Sequence, residues 1–201
     1  MTLAEVPSPI DFHDMRDALE WESTAMDRPF RLEMFDAITD QLATANISNA
    51  LELGSGPGFL ANHICNRNDR ISLALLDFST AMHELARARL WDHRERISFL
   101  EKDFKESNWA HDLDPFECVI TNQAVHELRH KSHAAEFHKQ VKGILAPGGI
   151  YLVCDHFYGA DGMSNDQLYM TVEEHSACLT QAGFENEILL KKGSLVLFRS
   201  C

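Results

Sequence analysis

The sequence predicts an α/β fold built on a doubly wound, mostly parallel sheet of seven strands. Three observations lead to this prediction: apolar strand-like segments alternate with helical patterns, a glycine loop joins the first such segment to a helix, and two closely spaced strands end the sequence. With 201 residues, of which 45% are hydrophobic, the chain can bury a sizeable core without dividing, so we expect one domain.

A helical pattern from Asp11 to Ala45 precedes the first strand. Apolar residues at steps of three and four form one stripe there: Leu32, Phe35, Ile38 and Leu42. We identify five residues of this stretch as candidates for contact with a substrate: Trp21, Met26, Arg28, Phe30 and Arg31. Trp21 and Phe30 could instead anchor the helices on the core, because large aromatic side chains bury much apolar area.

A glycine loop follows the first strand. Residues 51–58 read LELGSGPG, so an apolar strand passes into a loop and then into a helix that begins near Gly58. Glycine tolerates positive φ in a tight turn, and its lack of a Cβ lets a ligand approach the backbone. The loop therefore predicts a site for a nucleotide-like cofactor.

The residues around the loop indicate which cofactor it suits. The second strand ends at Asp77, about 20 residues further on, where a carboxylate can bind ribose hydroxyls. A dinucleotide site requires GxGxxG, but Phe59 stands at the third glycine position, which disfavours a pyrophosphate. Glu52 is costly to bury in a strand without a cationic or hydrogen-bonding partner, so it suits a ligand with an amino group.

The stretch from Leu51 to Gly58, with Asp77 ending the next strand, resembles the signature of class I S-adenosylmethionine-dependent methyltransferases. The resemblance covers most of the chain and implies a Rossmann-like sheet with S-adenosylmethionine as cofactor. It also implies a single methyltransferase domain over residues 1–201. In that domain, residues 1–46 would form a helical cap and residues 47–201 the cofactor-binding α/β core.

In this family the first loop faces the methionine part of the cofactor. The resemblance assigns that role to Glu52, Gly54, Ser55, Gly56 and Gly58. Asp77 would bind the ribose, and Phe78 would flank the adenine.

The third and fourth strands complete the cofactor site that the resemblance implies. Residues 97–104 end in an acid-aromatic pair, in which Asp103 would accept from the adenine amine and Phe104 would offer its backbone N–H. Residues 116–123 resemble the central strand of the family, whose cofactor-facing end would consist of Asn122 and Gln123. Each motif alone also occurs in ordinary strand-to-helix turns. Their order along one edge of a parallel sheet, where open α/β folds bind ligands, favours a common site.

The remaining helices follow the same alternation. Ser79 is a good N-cap for the helix after the second strand. Another helix is expected over about residues 134–145, since Pro147 would stop it before a fifth strand at residues 150–154.

The sequence ends in a predicted antiparallel hairpin. Thr171 and Glu174 form a capping box for a helix that Gly183 would stop. The strands at residues 184–190 and 195–199 are joined by a link too short for a crossover, so they must pair antiparallel. Such a hairpin is typical of the methyltransferase sheet, whereas dinucleotide-binding domains generally continue with parallel strands.

Residues 126–130 read HELRH and match HExxH. On a continuous helix this motif would place two imidazoles one turn apart for zinc. The segment begins four residues after Asn122, in a strand-to-helix turn, so His126 and His130 need not share a helical face. We therefore expect no metal.

His126 is instead our candidate catalytic residue. Its position after Asn122 resembles one from which some relatives reach the acceptor, and a neutral imidazole can take a proton from a hydroxyl or an amine. Asp155, His156 and Tyr158 are alternatives. A methyl transfer that depends on alignment can also proceed without a dedicated base.

Composition narrows the partners and the compartment. The net charge of −13 repels phosphate backbones, so we expect no nucleic-acid partner, and no segment is long and apolar enough for a membrane. The five cysteines form no CxxC pair, and the N-terminus lacks the pattern of a secretory signal. These features predict a cytoplasmic protein, while no feature indicates an oligomeric state.

The sequence as a whole predicts an enzyme, an S-adenosylmethionine-dependent methyltransferase with a small-molecule acceptor. A protein that binds S-adenosylmethionine without turnover would have the same glycine loop and stays an alternative. An NAD(P)-dependent oxidoreductase is disfavoured by the loop spacing and the terminal hairpin. Residues 122–125, NQAV, also depart from the Asn/Asp-Pro-Pro-aromatic motif of methyltransferases that modify amino groups of nucleic acids.

Overall fold

In the computed structural model, helices and strands alternate along residues 5–201, which are the residues that the structure describes. The α-helices are α1 (Met15–Ala25), α2 (Arg31–Thr44), α3 (Phe59–Arg67), α4 (Thr80–Arg89), α5 (Ala134–Gly143) and α6 (Val172–Gln181). The strands are β1 (Asn49–Leu53), β2 (Ser72–Asp77), β3 (Ile97–Glu101), β4 (Phe116–Asn122), β5 (Leu145–His156), β6 (Asn186–Lys192) and β7 (Leu195–Ser200). Short 3₁₀ helices cover Trp91–Arg96, Val125–Leu128 and Lys131–His133.

The strands form one seven-stranded sheet in the order β3-β2-β1-β4-β5-β7-β6. Strands β1 to β5 pair in parallel, whereas β7 runs antiparallel to both β5 and β6. The predicted fold class, including the terminal hairpin, is therefore confirmed. The strand order reverses between β1 and β4, so the crevice where open α/β sheets bind ligands lies at the carboxyl ends of these two strands.

Strand register brings the predicted site segments to the same edge. Leu53, the last residue of β1, pairs with Leu76 on one side and with Thr121 on the other. The glycine loop, Asp77 and the end of β4 therefore follow directly from neighbouring strand ends.

Apolar side chains on the two faces of the sheet form the core. Leu51 and Leu53 of β1 belong to the cluster that α5 and α6 complete, and Ala50 belongs to the cluster that α2 and α3 complete. This alternation is the period of two expected for a strand buried on both faces. Helix α2 thus packs directly on the sheet that carries the glycine loop.

The helical pattern predicted over Asp11 to Ala45 is two helices in the structure. Proline disfavours helical geometry in the residue before it, and Pro29 falls inside the pattern. Phe30 has φ 64°, a left-handed conformation that separates α1 from α2. The predicted apolar stripe was wrong at Leu32, which is 53% exposed, and Met34 is buried in its place.

The predicted caps are confirmed by their hydrogen bonds. Ser79 Oγ accepts from Met82 N at 3.0 Å at the start of α4. Thr171 and Glu174 form the complete capping box of α6. No helix within residues 5–201 combines the length and the apolar character needed to cross a membrane.

Candidate active site

A cavity of about 520 Å³ opens at the carboxyl edge of the sheet. This volume lies in the range of sites for small molecules and cofactors. The cavity is lined by most of the residues that the sequence predicted for the site: Glu52, Gly54, Ser55, Gly56, Asp77, Phe78, Phe104, Asn122, Gln123 and His126. Residues from three strand ends and the turn after β4 therefore meet at one place.

The glycine loop is shaped by two different constraints. Gly54 has φ 66°, and a Cβ on it would lie 2.6 Å from the Cβ of Ala124, so the neighbouring turn requires a glycine. Gly56 has φ 53°, but a Cβ there would meet no protein atom within 4 Å. Because Gly56 lines the cavity, the space beside it is available to a ligand.

Asp77 is held in place by the backbone of the loop. Its Oδ2 accepts from Gly56 N at 2.8 Å, and its Oδ1 accepts from Ser79 N at 2.9 Å. Burial raises the pKa of Asp77 to about 6, although these hydrogen bonds act in the opposite direction. The carboxylate is therefore oriented before any ligand arrives.

Glu52 is a buried carboxylate with a free acceptor. Its side chain is 2% exposed, and its Oε2 has no hydrogen-bond partner among the described residues. Burial, and then the charge of Asp77, raises the pKa of Glu52 to about 8. A buried acid of this kind is stabilised by a cationic or donating group, which a ligand in the cavity can supply.

Further polar atoms at this edge have no partner within residues 5–201. They are Ser55 Oγ, Asn122 Oδ1 and Gln123 Nε2. Buried polar groups in proteins are normally hydrogen-bonded, so a cluster of unpartnered ones beside a cavity indicates a ligand site. Gln123 also has φ 56°, and its Oε1 accepts from Arg31 Nη2 at 2.6 Å.

Gly58 and Asp103 lie outside the cavity wall. A Cβ on Gly58 would approach Leu90 and Ala86 at 3.0 and 3.2 Å, so this glycine serves close packing against α4. The Oδ1 of Asp103 accepts from Lys105 N at 2.8 Å. Phe104, the next residue along, does line the cavity and is 6% exposed.

His126 and Asp155 form a hydrogen-bonded pair at the cavity. The Nδ1 of His126 lies 2.6 Å from Asp155 Oδ1, and the backbone N of His126 donates to Asp155 Oδ2 at 2.9 Å. Burial alone would lower the pKa of His126, but Asp155 and Glu127 outweigh it and raise the pKa to about 10. With Nδ1 bound to Asp155, the ring nitrogen left for other partners is Nε2, which lies 3.4 Å from Glu127 Oε1.

The HExxH segment is not a continuous helix. Residues Val125–Leu128 form a 3₁₀ turn, and Arg129 has φ 62°, so the two histidines do not stand one α-helical turn apart. His130 Nδ1 instead lies 2.8 Å from Ser132 Oγ. No cluster of three or more His, Cys, Asp or Glu suited to a metal ion occurs within residues 5–201.

The alternatives to His126 lie in different surroundings. Asp155 is 1% exposed and also accepts from His156 N at 2.7 Å, so its carboxylate is occupied by protein donors. His156 lines the cavity, with its Nδ1 2.9 Å from Ser194 Oγ. Tyr158 is not among the cavity residues.

Comparison with known families fits this geometry. A family model described as the methyltransferase domain matches residues 50–149, about half of the chain. The chain belongs to this methyltransferase family. The match begins at the strand that leads into the glycine loop, so the resemblance to class I methyltransferases seen in the sequence is confirmed.

Solved structures share the fold of this chain. An O-methyltransferase family protein from Burkholderia thailandensis has a TM-score of 0.78 at 18% identity, over 94% of this chain and 60% of that protein. The DhpI–SAH complex has a TM-score of 0.72 at 20% identity, over 93% of this chain and 92% of DhpI. The mitomycin 7-O-methyltransferase MmcR has a TM-score of 0.72 at 17% identity, over 94% of this chain and 59% of MmcR.

The chain therefore spans about three fifths of the length of the first and third of these proteins. The Rossmann-like fold is confirmed by the three likenesses. No curated protein sequence gave a significant match.

Sequence reasoning missed part of the cavity wall. The missed residues come from the N-terminal segment and from loops far along the chain: Ser8, Pro9, Ile10, Phe12, Glu127, Arg129, Met163, Leu168, Tyr169 and Ser194. Of the five candidate substrate contacts, Trp21, Arg28, Phe30 and Arg31 line the cavity, whereas Met26 packs against the core. Among these residues, Glu127 carried a local signal, since it is the glutamate that defines the HExxH match, whereas Arg129 occupies a variable position of that match.

Proposed function

We propose that this chain transfers a methyl group from S-adenosylmethionine to a small-molecule acceptor. The observation that carries the proposal is the convergence of the glycine loop, two buried carboxylates and several unpartnered polar atoms on one cavity. Membership of the methyltransferase family supports the reaction class. The DhpI structure, which contains SAH, supports the choice of cofactor.

The residues of the cavity fit this cofactor. Glu52 and the glycine loop would hold the methionine part, because the free Oε2 of Glu52 suits an ammonium group and the open side of Gly56 admits a ligand. Asp77 would accept from the ribose hydroxyls, and the Phe78 and Phe104 rings would contact the adenine. The roles of Gly58 and Asp103, which lie outside the cavity wall, stay predictions.

Bound S-adenosylmethionine supplies an electrophilic methyl group on a positively charged sulfur. The protein then has to align the acceptor with the methyl group, exclude water from the cavity and accept the proton that the acceptor loses. Aromatic rings on several sides of the cavity exclude water, among them Phe12, Trp21, Phe35 and Tyr169.

His126 would take the proton from the acceptor. Asp155 accepts from Nδ1–H and so leaves the lone pair of a neutral imidazole on Nε2, as in other hydrogen-bonded histidine bases. Such a base suits a hydroxyl acceptor, which becomes a stronger nucleophile as its proton leaves. Two of the structural neighbours are O-methyltransferases by name, which supports an oxygen acceptor.

We also propose that the acceptor is not a nucleic acid and that the protein works in the cytoplasm. The net charge of −13 disfavours a phosphate backbone. All five cysteines are free, including the buried Cys65, Cys118 and Cys154, which suits a reducing compartment.

Calorimetry tests the cofactor site. The chain should bind S-adenosylhomocysteine, and Asp77→Ala should weaken binding by up to about 3 kcal/mol, or roughly 100-fold, because the ribose hydroxyls lose their acceptor. Asp69→Ala removes an exposed acid outside the cavity and should leave the affinity unchanged. Equal affinities of wild type and Asp77→Ala would remove Asp77 from the site.

Turnover tests the reaction. Incubation with S-adenosylmethionine and a panel of hydroxylated small molecules should release S-adenosylhomocysteine with at least one of them. Binding without release across the panel would favour a protein that only senses the cofactor. Tight binding of NAD in place of S-adenosylhomocysteine would favour an oxidoreductase.

A further inference from the structure

The cavity carries opposite charges on different parts of its wall. Glu52 and Asp77 are close enough for the charge of Asp77 to raise the pKa of Glu52. Arg28 and Arg31 are close enough to His156 to lower its pKa, which burial already depresses, to about 4. Glu52 and Asp77 belong to the proposed cofactor site, and Glu127, a third acid of the wall, is paired with His126 and Arg129. Arg28 and Arg31, the basic part, have no role yet.

Arg31 is the unusual member of the basic part. It is 3% exposed and donates from Nη2 to Gln123 Oε1, but its Nε has no partner within the described residues. No carboxylate of residues 5–201 lies within 4 Å of a guanidinium nitrogen of Arg28 or Arg31. A buried arginine without an acid is costly, and this chain has 31 acidic residues against 18 basic ones.

Both arginines contact the ring of Trp21, which also lines the cavity. The Cζ atoms of Arg28 and Arg31 lie 5.0 and 5.5 Å from the centroid of the Trp21 ring, within range of a cation–π contact. Burial, and then the charge of Arg28, lowers the pKa of Arg31 to about 10, so the group is still charged at neutral pH. The two positive charges beside one ring repel each other, and an anion bound between them would offset this repulsion.

The basic part also adjoins the proposed catalytic base. The ring of His156 lies 5.7 Å from that of His126, and both histidines line the cavity. Arg28 and Arg31 line the same cavity, and Arg31 is hydrogen-bonded to Gln123 in the turn that leads to His126. A small acceptor positioned at His126 could therefore carry an anionic group that the arginines bind.

Building on the proposed function, we infer that Arg28 and Arg31 bind an oxyanion of the methyl acceptor, so that the substrate class is a small hydroxylated acid with a carboxylate or phosphoryl group. The planar guanidinium matches such groups through paired charge-assisted hydrogen bonds. The cofactor has a carboxylate of its own, and the experiment below separates the two sources.

The test uses matched acids and their uncharged counterparts as probes. Each probe is titrated into the full chain saturated with S-adenosylhomocysteine. The matched pairs are benzoate with benzamide, 4-hydroxybenzoate with 4-hydroxybenzamide, and phenylphosphonate with its diester. At least one acid should bind about tenfold more tightly than its uncharged partner, a preference that one charged hydrogen-bonded pair can supply. The inference is overturned if no acid is preferred.

Variants assign the preference to the two arginines. Arg31→Met should abolish it and Arg31→Lys should restore part of it, since lysine keeps the charge but not the fork. Arg28→Met should reduce the preference for the acid. Because Arg28 lies at a more exposed position between α1 and α2, this second variant keeps the test available if Arg31→Met does not fold. Arg16→Met removes an arginine whose side chain is 91% exposed and should keep the wild-type preference.

Cofactor affinity measured on the same samples separates the possible failures. If wild type does not bind S-adenosylhomocysteine, the proposed function fails. A second result would be that wild type binds S-adenosylhomocysteine and Arg31→Met weakens that binding. If Arg31→Met also leaves the affinity for 5′-methylthioadenosine, which lacks the amino-acid end, unchanged, then Arg31 binds the carboxylate of the cofactor. That result overturns the inference and leaves the proposed function standing.

Discussion

Asp155 accepts from both the backbone N–H and the ring of His126, so a single carboxylate fixes the position and the orientation of the imidazole. Burial alone would raise the pKa of Asp155, but the His126 charge lowers it to about 2, which keeps the carboxylate ionised at neutral pH. The ion pair thereby makes His126 a stronger base, but its raised pKa also means that the imidazole is mostly protonated at neutral pH. Catalysis through His126 therefore depends on the fraction of the imidazole that is neutral.

We expect Asp155→Asn to lower the pKa of His126 from its raised value, because Glu127 is then the carboxylate that still opposes the effect of burial. Imidazole NMR titration measures this directly, without an acceptor. A base must be neutral to act, so the activity of wild type should rise with pH above neutrality. In Asp155→Asn the rise should move to lower pH and reach a smaller maximum.

The surface offers a control for this substitution. Asp36→Asn also removes a carboxylate from a histidine, since Asp36 Oδ1 lies 2.9 Å from His63 Nε2. It should leave the pKa of His126 unchanged. A normal pKa for His126 in wild type, or no change in Asp155→Asn, would contradict the electrostatic account of the pair.

At the scale of elements, the loop between β1 and α3 separates two uses of glycine. Gly54→Ala should lower the free energy of unfolding by several kcal/mol, because the new Cβ would clash with Ala124 as well as strain the backbone. Gly56→Ala should cost only the backbone strain, about 1 kcal/mol, but should weaken S-adenosylhomocysteine binding. Chemical denaturation and calorimetry measure the two effects.

Gly148 is the matched control for the loop. It has φ 79°, meets no atom within 4 Å at the Cβ position and does not line the cavity. Gly148→Ala should therefore show the strain of Gly56→Ala without its loss of affinity. If both substitutions left the affinity unchanged, the loop would not be in contact with the cofactor product.

The elements that could be predicted from sequence are those whose signals are local. The strands that lead into Gly54 and Asp77, the capping box at Thr171 and the terminal hairpin all follow from short-range pattern and turn chemistry. The division of the N-terminal helix was missed because the helical period continued through Pro29, and only the left-handed Phe30 shows where the chain turns.

The site was predictable to the same extent. Its acidic and glycine residues lie at strand ends, where parallel register forces them together. The partnership of His126 with Asp155 and the gathering of Arg28 and Arg31 on Trp21 join segments far apart in the chain. Such contacts depend on how loops and helices pack, which no periodicity in the sequence reports.

At the scale of the whole molecule, buried titratable groups link stability to pH. Glu52 and His126 both have a raised pKa in the folded state, to about 8 and about 10. Between pH 6.5 and 8 the folded chain holds protons at these two positions that the unfolded chain has released, so the contribution of Glu52 and His126 to stability falls as pH rises. Other histidines have a lowered pKa in the folded state and contribute in the opposite direction, because the unfolded chain binds more protons there: His63, His83, His138, His156 and His175. Their effect fades within about one pH unit above the unfolded pKa of about 6.5.

We expect the titration of Glu52 to lower the free energy of unfolding by up to about 1.4 kcal/mol per pH unit between pH 6.5 and pH 8. Glu52→Gln keeps the size of the side chain but cannot titrate, so the pH slope of the free energy of unfolding should be more negative in wild type than in this variant by about that amount. Glu95→Gln, at a side chain that is 87% exposed, should retain the slope of wild type. Denaturation of the three proteins at pH 6.5, 7.2 and 8.0, at constant ionic strength, measures these slopes. Equal slopes for wild type and Glu52→Gln would mean that Glu52 is ionised in the free protein and already has a partner.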